Sequence, residues 1–406
     1  MANIIKAEEQ GLRELYTRLN TLAIFRELLG DPVISALMQL LGNALDNKDK
    51  DFARSCGEFC SLLYAKTDNF SDYLLEKTLS ADNAYVRRLV RSLSAEDIID
   101  IIEKRLFEEL AVLSDLAAVK PQCFSAVGIM LPAWRTSVHD FKTLYLERLT
   151  NINKIGYGVF SSCHMFTVRA SGDGVQLRPV MNFDAQQLDG LYGYELEREA
   201  VLDNTLAFLS GSPAVNVLLY GDAGTGKSAT VKAIANRYHT EGLRLIEVRK
   251  SQFSLIPDLI DMLADNPLKF ILFIDDLSFT ANDNEFSELK AILEGGVTAQ
   301  PRNILIYATS NRRHFLKESL ADRSGDDIHR SDTIEETVSL SHRFGLTVTF
   351  AKPDKELYLH IVEYLALGGG LLPDKELFAR AEIYALNNGG RSPRTARQFI
   401  NYTLGD

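Results

Sequence analysis

The sequence predicts a three-layer α/β domain on a five-stranded parallel sheet, with a mainly helical domain before it and a helical lid after it. Three observations predict this. First, five largely apolar runs lie at 215–220, 243–248, 270–274, 304–308 and 346–350, with helical stretches between them. The run at 215–220 shows no regular alternation of polar with apolar, which is the pattern of strands buried on both faces and joined by crossovers, and the other four are grouped with it. Second, residues 1–150 space their apolar side chains at three or four, the period of one buried helical face. Third, the chain becomes helical again after Pro353, with Gly368-Gly369-Gly370 and Gly389-Gly390 as breaks.

In the first region Leu12, Leu15, Leu19, Leu22 and Phe25 form one stripe. Gly30-Asp31-Pro32 interrupts it, and Ile34, Leu37, Leu40 and Leu41 begin another. Ser94 and Asp97 resemble a capping box ahead of the run from Ile98 to Leu113. Trp134 follows Pro132 between two helical segments. The acids and histidines here are scattered, and a solvated face is the default for such charges. Residues 151–185 read as a β-hairpin and linker, with Ser171-Gly172-Asp173-Gly174 as the turn. The α/β core is expected at 186–352 and the lid at 353–406.

Composition limits the function classes. A chain of 406 residues exceeds one ordinary core, and 46% hydrophobic with 24% charged residues is the balance of a folded chain rather than a disordered one. Against 44 basic side chains stand 55 acidic ones, a net charge of −11. That argues against a broad nucleic-acid-binding surface, though not against a small basic patch. Cys56, Cys60, Cys123 and Cys163 lack zinc-finger spacing and are too few for a disulfide framework, so buried free thiols are expected. No apolar run reaches the roughly 18 residues of a membrane span, and the N-terminus lacks a secretory pattern, so a cytoplasmic protein is expected.

The chemistry concentrates in three places. Gly221-Asp222-Ala223-Gly224-Thr225-Gly226-Lys227-Ser228 matches G-x-x-x-x-G-K-[ST], after an apolar strand and before a helix. Glycines let the backbone curl so that N–H groups face phosphate oxygens. The helix N-terminus adds positive potential. Lys227 supplies a charge for the β- and γ-phosphates, and Ser228 a hydroxyl for Mg2+. Next, Phe270 to Ile274 runs into Asp275-Asp276. Ligands of open parallel sheets bind beyond the carboxyl ends of the strands, so Asp275 is placed to hold the metal and Asp276 to activate water. Finally, Ile304 to Ala308 runs into Thr309-Ser310-Asn311, where the Asn311 amide can reach both γ-phosphate and water. Each has a plainer reading: a Gly-rich turn, two acids capping a helix, and a turn asparagine.

Together these motifs resemble the AAA+ ATPases, with 48 residues from Lys227 to Asp275 and 36 from Asp275 to Asn311. The stretches DDLSF, LEGG, YATSNRRH, LSHRFGL and GRSPRTARQF are similar to one bacterial AAA+ group, the family called domain of unknown function 815. The likeness runs over about 156–406, includes LDGLYGYE, and leaves the helical first third uncovered. It implies a P-loop NTPase core with ATP and Mg2+ as cofactors. It also implies that Arg343 is an arginine finger acting on a neighbouring subunit's γ-phosphate, in a homo-oligomer that can be a ring. Arg394 would be the sensor on the lid, with Arg391 and Arg397 as rivals. Tyr192 and Gly193 would lie against the adenine.

Three features depart from that pattern. Many such ATPases carry glutamate where Asp276 stands, and the shorter side chain reaches roughly 1.5 Å less far. The segment Ser251 to Leu255 lacks the aromatic–apolar–glycine pattern of polypeptide-pulling pore loops, leaving Phe253 as a possible substitute. The acidic stretch 321–336, with Arg323, His329 and Arg330, reads as an insertion or a long surface loop. The expected function is ATP hydrolysis that remodels an unknown protein partner. The alternatives are a slowly hydrolysing switch or scaffold and, less favoured by the charge, a DNA-associated loader.

Overall fold

The structure, a computed structural model, describes residues 2–46, 49–91, 100–127, 132–172, 174–277, 284–294, 301–311 and 343–405. The proposed capping box at Ser94 and Asp97, the stretch 321–336, and Ser341 and His342 lie outside the described residues. The chain divides into two compact units, Met1–Ser162 and Cys163–Asp406.

The first unit is helical, with helices at Ala2–Asn20, Pro32–Leu45, Asp49–Tyr64, Phe70–Ser80, Ala84–Arg91, Asp100–Ala117 and Phe141–Thr150, and two short turns after them. The expected stripes supply its core: Leu19, Leu37, Leu40 and Leu41 are fully buried with Phe59, Phe70 and Leu116. Asp31 caps the second helix, accepting from the N–H groups of Val33 at 3.0 Å and Ile34 at 3.3 Å, and Pro32 occupies its first turn. The Trp134 indole N–H donates to the Val119 carbonyl at 2.9 Å, and its ring meets Phe59 edge-on. Cys56 and Cys60 are buried free thiols, and burial pushes Cys60 up to about 12.

One charge corrects the expectation of solvated faces. Glu109 is fully buried. It accepts from the backbone N–H groups of Ala23, Ile24 and Phe25 at 2.7, 3.0 and 3.0 Å, and from Arg105 Nε at 2.8 Å. Its carboxylate thus satisfies the turn after the first helix, which would otherwise leave the buried N–H groups of Ile24 and Phe25 unpaired.

The second unit is built on a sheet of seven strands among the described residues: β1 (Met165–Ser171), β2 (Gly174–Pro179), β3 (Val217–Gly221), β4 (Leu243–Glu247), β5 (Lys269–Ile274), β6 (Ile304–Asn311) and β7 (Leu346–Phe350). Their order is β2-β1-β4-β5-β6-β3-β7. β1 and β2 are antiparallel and every other pairing is parallel. The expected count of five is therefore corrected to seven. The hairpin at 165–179 adds to the sheet edge, with Met165, Phe166 and Thr167 paired to Leu245, Ile246 and Glu247. Met165, Phe166 and Val168 are apolar, and in this position they are buried.

Helices at Glu195–Ser210, Lys227–Tyr238, Ile256–Leu263 and Asn284–Glu294 connect the strands. This is the three-layer arrangement that the AAA+ resemblance implies. Beyond β7, three helices at Lys355–Gly368, Lys375–Asn387 and Pro393–Gly405 form a lid with its own core of Tyr358, Ile361, Val362, Ala381 and Phe399. Asp354 and Asp374 cap the first two helices, and Ser392 accepts from the Thr395 N–H at 3.1 Å at the start of the third.

Candidate functional site

The register of the sheet sets the site. Gly221 at the end of β3 pairs with Asn311 at the end of β6, and Ile274 at the end of β5 pairs with Ala308. The motif residues at 221–228, 275–276 and 311 thereby meet at the carboxyl edge of the sheet.

The loop between β3 and the helix Lys227–Tyr238 depends on its glycines. Gly221 has φ 140°, and a Cβ there would stand 2.0 Å from the Phe350 carbonyl oxygen. No other residue fits without displacing β7. Gly226 enters the helix at φ 97° and Gly224 turns at φ 79°. The Asp222 N–H donates to the Phe350 carbonyl at 3.1 Å, and its carboxylate accepts from the Lys352 N–H at 3.0 Å, so the start of the loop is fixed to the end of β7 and the chain just after it.

Lys227 is buried and its ammonium has three acceptors: the carbonyls of Gly221 at 3.1 Å and Asp222 at 2.7 Å, and Asn311 Oδ1 at 3.0 Å. Burial lowers its pKa from 10.5 to about 8, against the upward pull of Asp222, Asp276 and Asp275. Next to it the Ser228 hydroxyl donates to Asp275 Oδ1 at 2.5 Å. A hydroxyl and a carboxylate oxygen this close suit a hard cation such as Mg2+. That ion takes one or two carboxylates and completes its shell with water and phosphate oxygens. No cluster of three His, Cys, Asp or Glu that could hold a metal is found among the described residues.

Asp276 occupies the left-handed region at φ 57°. Its carboxylate accepts from Asn311 Nδ2 at 2.7 Å. Thr309, which the motifs did not single out, lies between the two acids. Its hydroxyl donates to Asp275 Oδ1 at 2.6 Å and accepts from the Asp276 N–H at 2.9 Å. The available signal was its place in the sequence: a polar residue in an apolar strand, two before Asn311 and so on the same face.

The lid reaches this edge of the sheet. Its third helix begins against the loop, with the Arg394 N–H donating to the Gly224 carbonyl at 3.2 Å. A Cβ on Gly224 would be 3.1 Å from Ser392 Oγ. Between loop and lid lies a cavity of about 580 Å³. Ala223 through Ser228, Asp275, Asp276, Asn311, Arg394 and Tyr192 all line it. Gly221 and Asp222 stand behind it. Gly193 (φ 78°) packs instead on the lid, where a Cβ would be 3.1 Å from Ile361 Cδ1. Tyr192 stacks on Tyr364 with ring centroids 4.5 Å apart, and Ile361 and Leu365 extend this apolar end of the cavity.

The three lid arginines separate. Arg394 and Arg397 line the cavity, whereas Arg391 makes a two-pronged ion pair with Glu382 at 2.9 and 2.7 Å. Arg198 lines the cavity as well and had no sequence signal; its guanidinium donates to the Gly193 carbonyl and to Glu195. Arg343 is half-buried just before β7 and is not among the residues lining the cavity of its own chain. Phe253 is fully buried in the turn after β4, so it offers no exposed aromatic. No helix among the described residues is long and apolar enough to cross a membrane.

The sheet order and the glycine loop between β3 and the helix Lys227–Tyr238 place the chain in the P-loop α/β fold class. The chain belongs to the family described as protein of unknown function (DUF815), whose family model matches residues 161–406, more than half of its length. Solved structures that match include a variant of Thermotoga maritima RuvB, 17% identical with a TM-score of 0.37 over 53% of this chain and 63% of that one. A second RuvB variant is 16% identical with a TM-score of 0.35 over the same shares. The AAA domain of FIGL-1, in complex with ADP, is 20% identical with a TM-score of 0.38 over 55% of this chain and 74% of that one. This chain thus spans less than two thirds of the RuvB chains it matches. No curated protein matches it.

Proposed function

We propose that this chain binds ATP between sheet and lid and hydrolyses it, and that hydrolysis drives an assembly of several copies to remodel a protein partner. The observation that carries the reading is the convergence of Lys227, the Ser228–Asp275 pair, the Asn311–Asp276 pair and Arg394 on one cavity. The triphosphate would follow the loop, facing its N–H groups and the helix N-terminus at Lys227. The base would lie towards Tyr192 and Ile361. A phosphate beside Lys227 offsets the burial that depresses its pKa.

Ser228 and Asp275 would hold Mg2+, which when bound neutralises charge on the phosphate oxygens. Asp276 takes the proton of the attacking water, and Asn311 orients that water against the γ-phosphate. Lys227 stabilises charge on the oxygens being transferred. Arg394 senses the phosphates from the lid, and losing that contact after hydrolysis frees the lid to rotate against the sheet. Arg343 acts on the cavity of a neighbouring copy, where its planar guanidinium suits dispersed charge, so activity requires a homo-oligomer, a ring in the simplest case.

A slowly hydrolysing switch is the second reading. It is favoured by one observation, that the short Asp276 side chain is already bound to Asn311. Phosphate release at saturating ATP, measured while the protein is sized with and without nucleotide, tests both readings. The remodelling ATPase predicts assembly and turnover on the order of 1 per second or faster, and the switch predicts ATP binding with turnover near 10⁻² per second or slower. Neither binding nor release would contradict both.

A further inference from the structure

We infer that Thr309 is a positioning residue that fixes the Asp275 carboxylate and the Asp276 backbone through a single hydroxyl. The inference rests on the reading of this cavity as an ATPase site and extends it to a residue outside the phosphate loop and the acidic pair.

The direction of each hydrogen bond follows from proton counting. Thr309 Oγ1 lies 2.9 Å from the Asp276 N–H and 2.6 Å from Asp275 Oδ1. The N–H can only donate, so it takes a lone pair of the hydroxyl. The single hydroxyl proton is then committed to Asp275. Thr309 is 2% exposed, so water has little access to its hydroxyl.

The contact is the centre of a wider tie. The Thr309 carbonyl accepts from the Leu277 N–H at 2.7 Å, and Ser310 Oγ donates to the Leu277 carbonyl at 2.6 Å. Asn311 Nδ2 reaches the Asp276 carboxylate. Residues 275–277, just past the end of β5, are thus bound at each position to residues 309–311 at the end of β6. Asp276 sits there at φ 57°, a conformation that persists in a non-glycine residue only where its surroundings hold it.

Ser228 and Thr309 both donate to Asp275 Oδ1, but they are not equivalent. To serve a cation, Ser228 must turn its lone pair outward and give up Asp275. Thr309 faces no such demand. It is the contact that keeps Asp275 aimed while Ser228 changes partner, and the same hydroxyl keeps the Asp276 backbone in place for the water.

The test uses the full chain with Thr309→Val, which keeps the shape and removes the hydroxyl, and Thr309→Ser, which restores it. Three quantities are read: affinity for a fluorescent ATP analogue in EDTA, the magnesium concentration that half-saturates the metal-dependent gain in that affinity, and kcat. Thr309→Val is expected to leave metal-free affinity within about threefold, since Thr309 does not touch the loop. It should raise the magnesium half-saturation and lower kcat by about 10- to 100-fold each, the range for residues that orient a metal ligand. Thr309→Ser should recover both to within about threefold.

Unchanged magnesium half-saturation and kcat in Thr309→Val would overturn the inference, as would equal losses in both variants. Should the valine variant not fold, hydrogen exchange on the unmodified protein still decides: the Asp276 N–H must be protected, and exchange at the rate of an open loop contradicts the inference. If the unmodified protein neither binds nor hydrolyses nucleotide, the ATPase reading fails instead, and the exchange result stands apart from it.

Discussion

The side-chain amide of Asn311 joins Lys227 to Asp276. Its Oδ1 accepts from the lysine ammonium at 3.0 Å and its Nδ2 donates to the Asp276 carboxylate at 2.7 Å. Because each partner can play only one role, the amide has one orientation. Asn311 therefore holds the group that would meet the phosphate and the group that would meet the water in one chain of hydrogen bonds.

Asn311→Ala should lower kcat by about 10²-fold while nucleotide affinity changes by less than about fivefold. Steady-state turnover beside equilibrium binding measures this. A loss of affinity large enough to account for the whole defect would reduce Asn311 to an anchor for Lys227.

The backbone at Asp276 explains why a short acid stands there. Aspartate and asparagine enter the left-handed region far more readily than longer side chains, because their polar group can bond locally. Asp276→Asn should therefore melt within a few degrees of the parent, keep its ATP, and lose roughly 10²- to 10⁴-fold in turnover. Asp276→Glu should cost about 1 kcal/mol of stability despite keeping the charge. Thermal melts of the pair give the comparison, and a glutamate variant as stable as the asparagine one would remove this explanation.

Gly221 has no spare space. With a methyl group 2.0 Å from the Phe350 carbonyl and φ at 140°, Gly221→Ala must separate β3 from β7. A loss of at least about 3 kcal/mol in urea unfolding is expected, the range for forced backbone strain in a buried element. An alanine variant within about 1 kcal/mol of the parent would mean that the close approach is not a feature of the folded protein in solution.

If Arg343 works across a subunit boundary, two dead variants can rescue each other. Arg343→Ala and Asp276→Asn should each be inactive alone. Mixed subunits should regain a fraction of parental turnover, because some interfaces pair an intact finger with an intact water site. Mixed assemblies verified by sizing that stay inactive would place Arg343 outside the site.

Much of this was legible from the residues. Strands buried on both faces are largely apolar, so β3, β5 and β6 announced themselves, whereas edge strand β7 alternates, with Thr347 and Thr349 exposed; the phosphate loop is a contiguous run whose spacing carries its chemistry. The partnership of β1 with β4 was not legible, because the local pattern of Met165 to Val168 states burial but not which distant strand supplies it. Glu109 left a trace: it interrupts the apolar spacing of Leu106, Leu110 and Leu113, where a charge can stay only if it is bound. Arg391, Arg394 and Arg397 share one spacing, and only the Glu382 partner distinguishes the first from the others. Thr309 was hidden because a threonine is ordinary in a strand and its work is done on residues of another one.

The central claim is that Lys227 and its loop hold a triphosphate. Calorimetric titration of magnesium-ATP into the parent and Lys227→Ala proteins tests it most directly. The account predicts one site per chain with a dissociation constant of about 1–100 μM in the parent, and affinity at least about 100-fold weaker once the ammonium is gone. Equal affinity in the two proteins, or no heat from the folded parent at millimolar nucleotide, would contradict it.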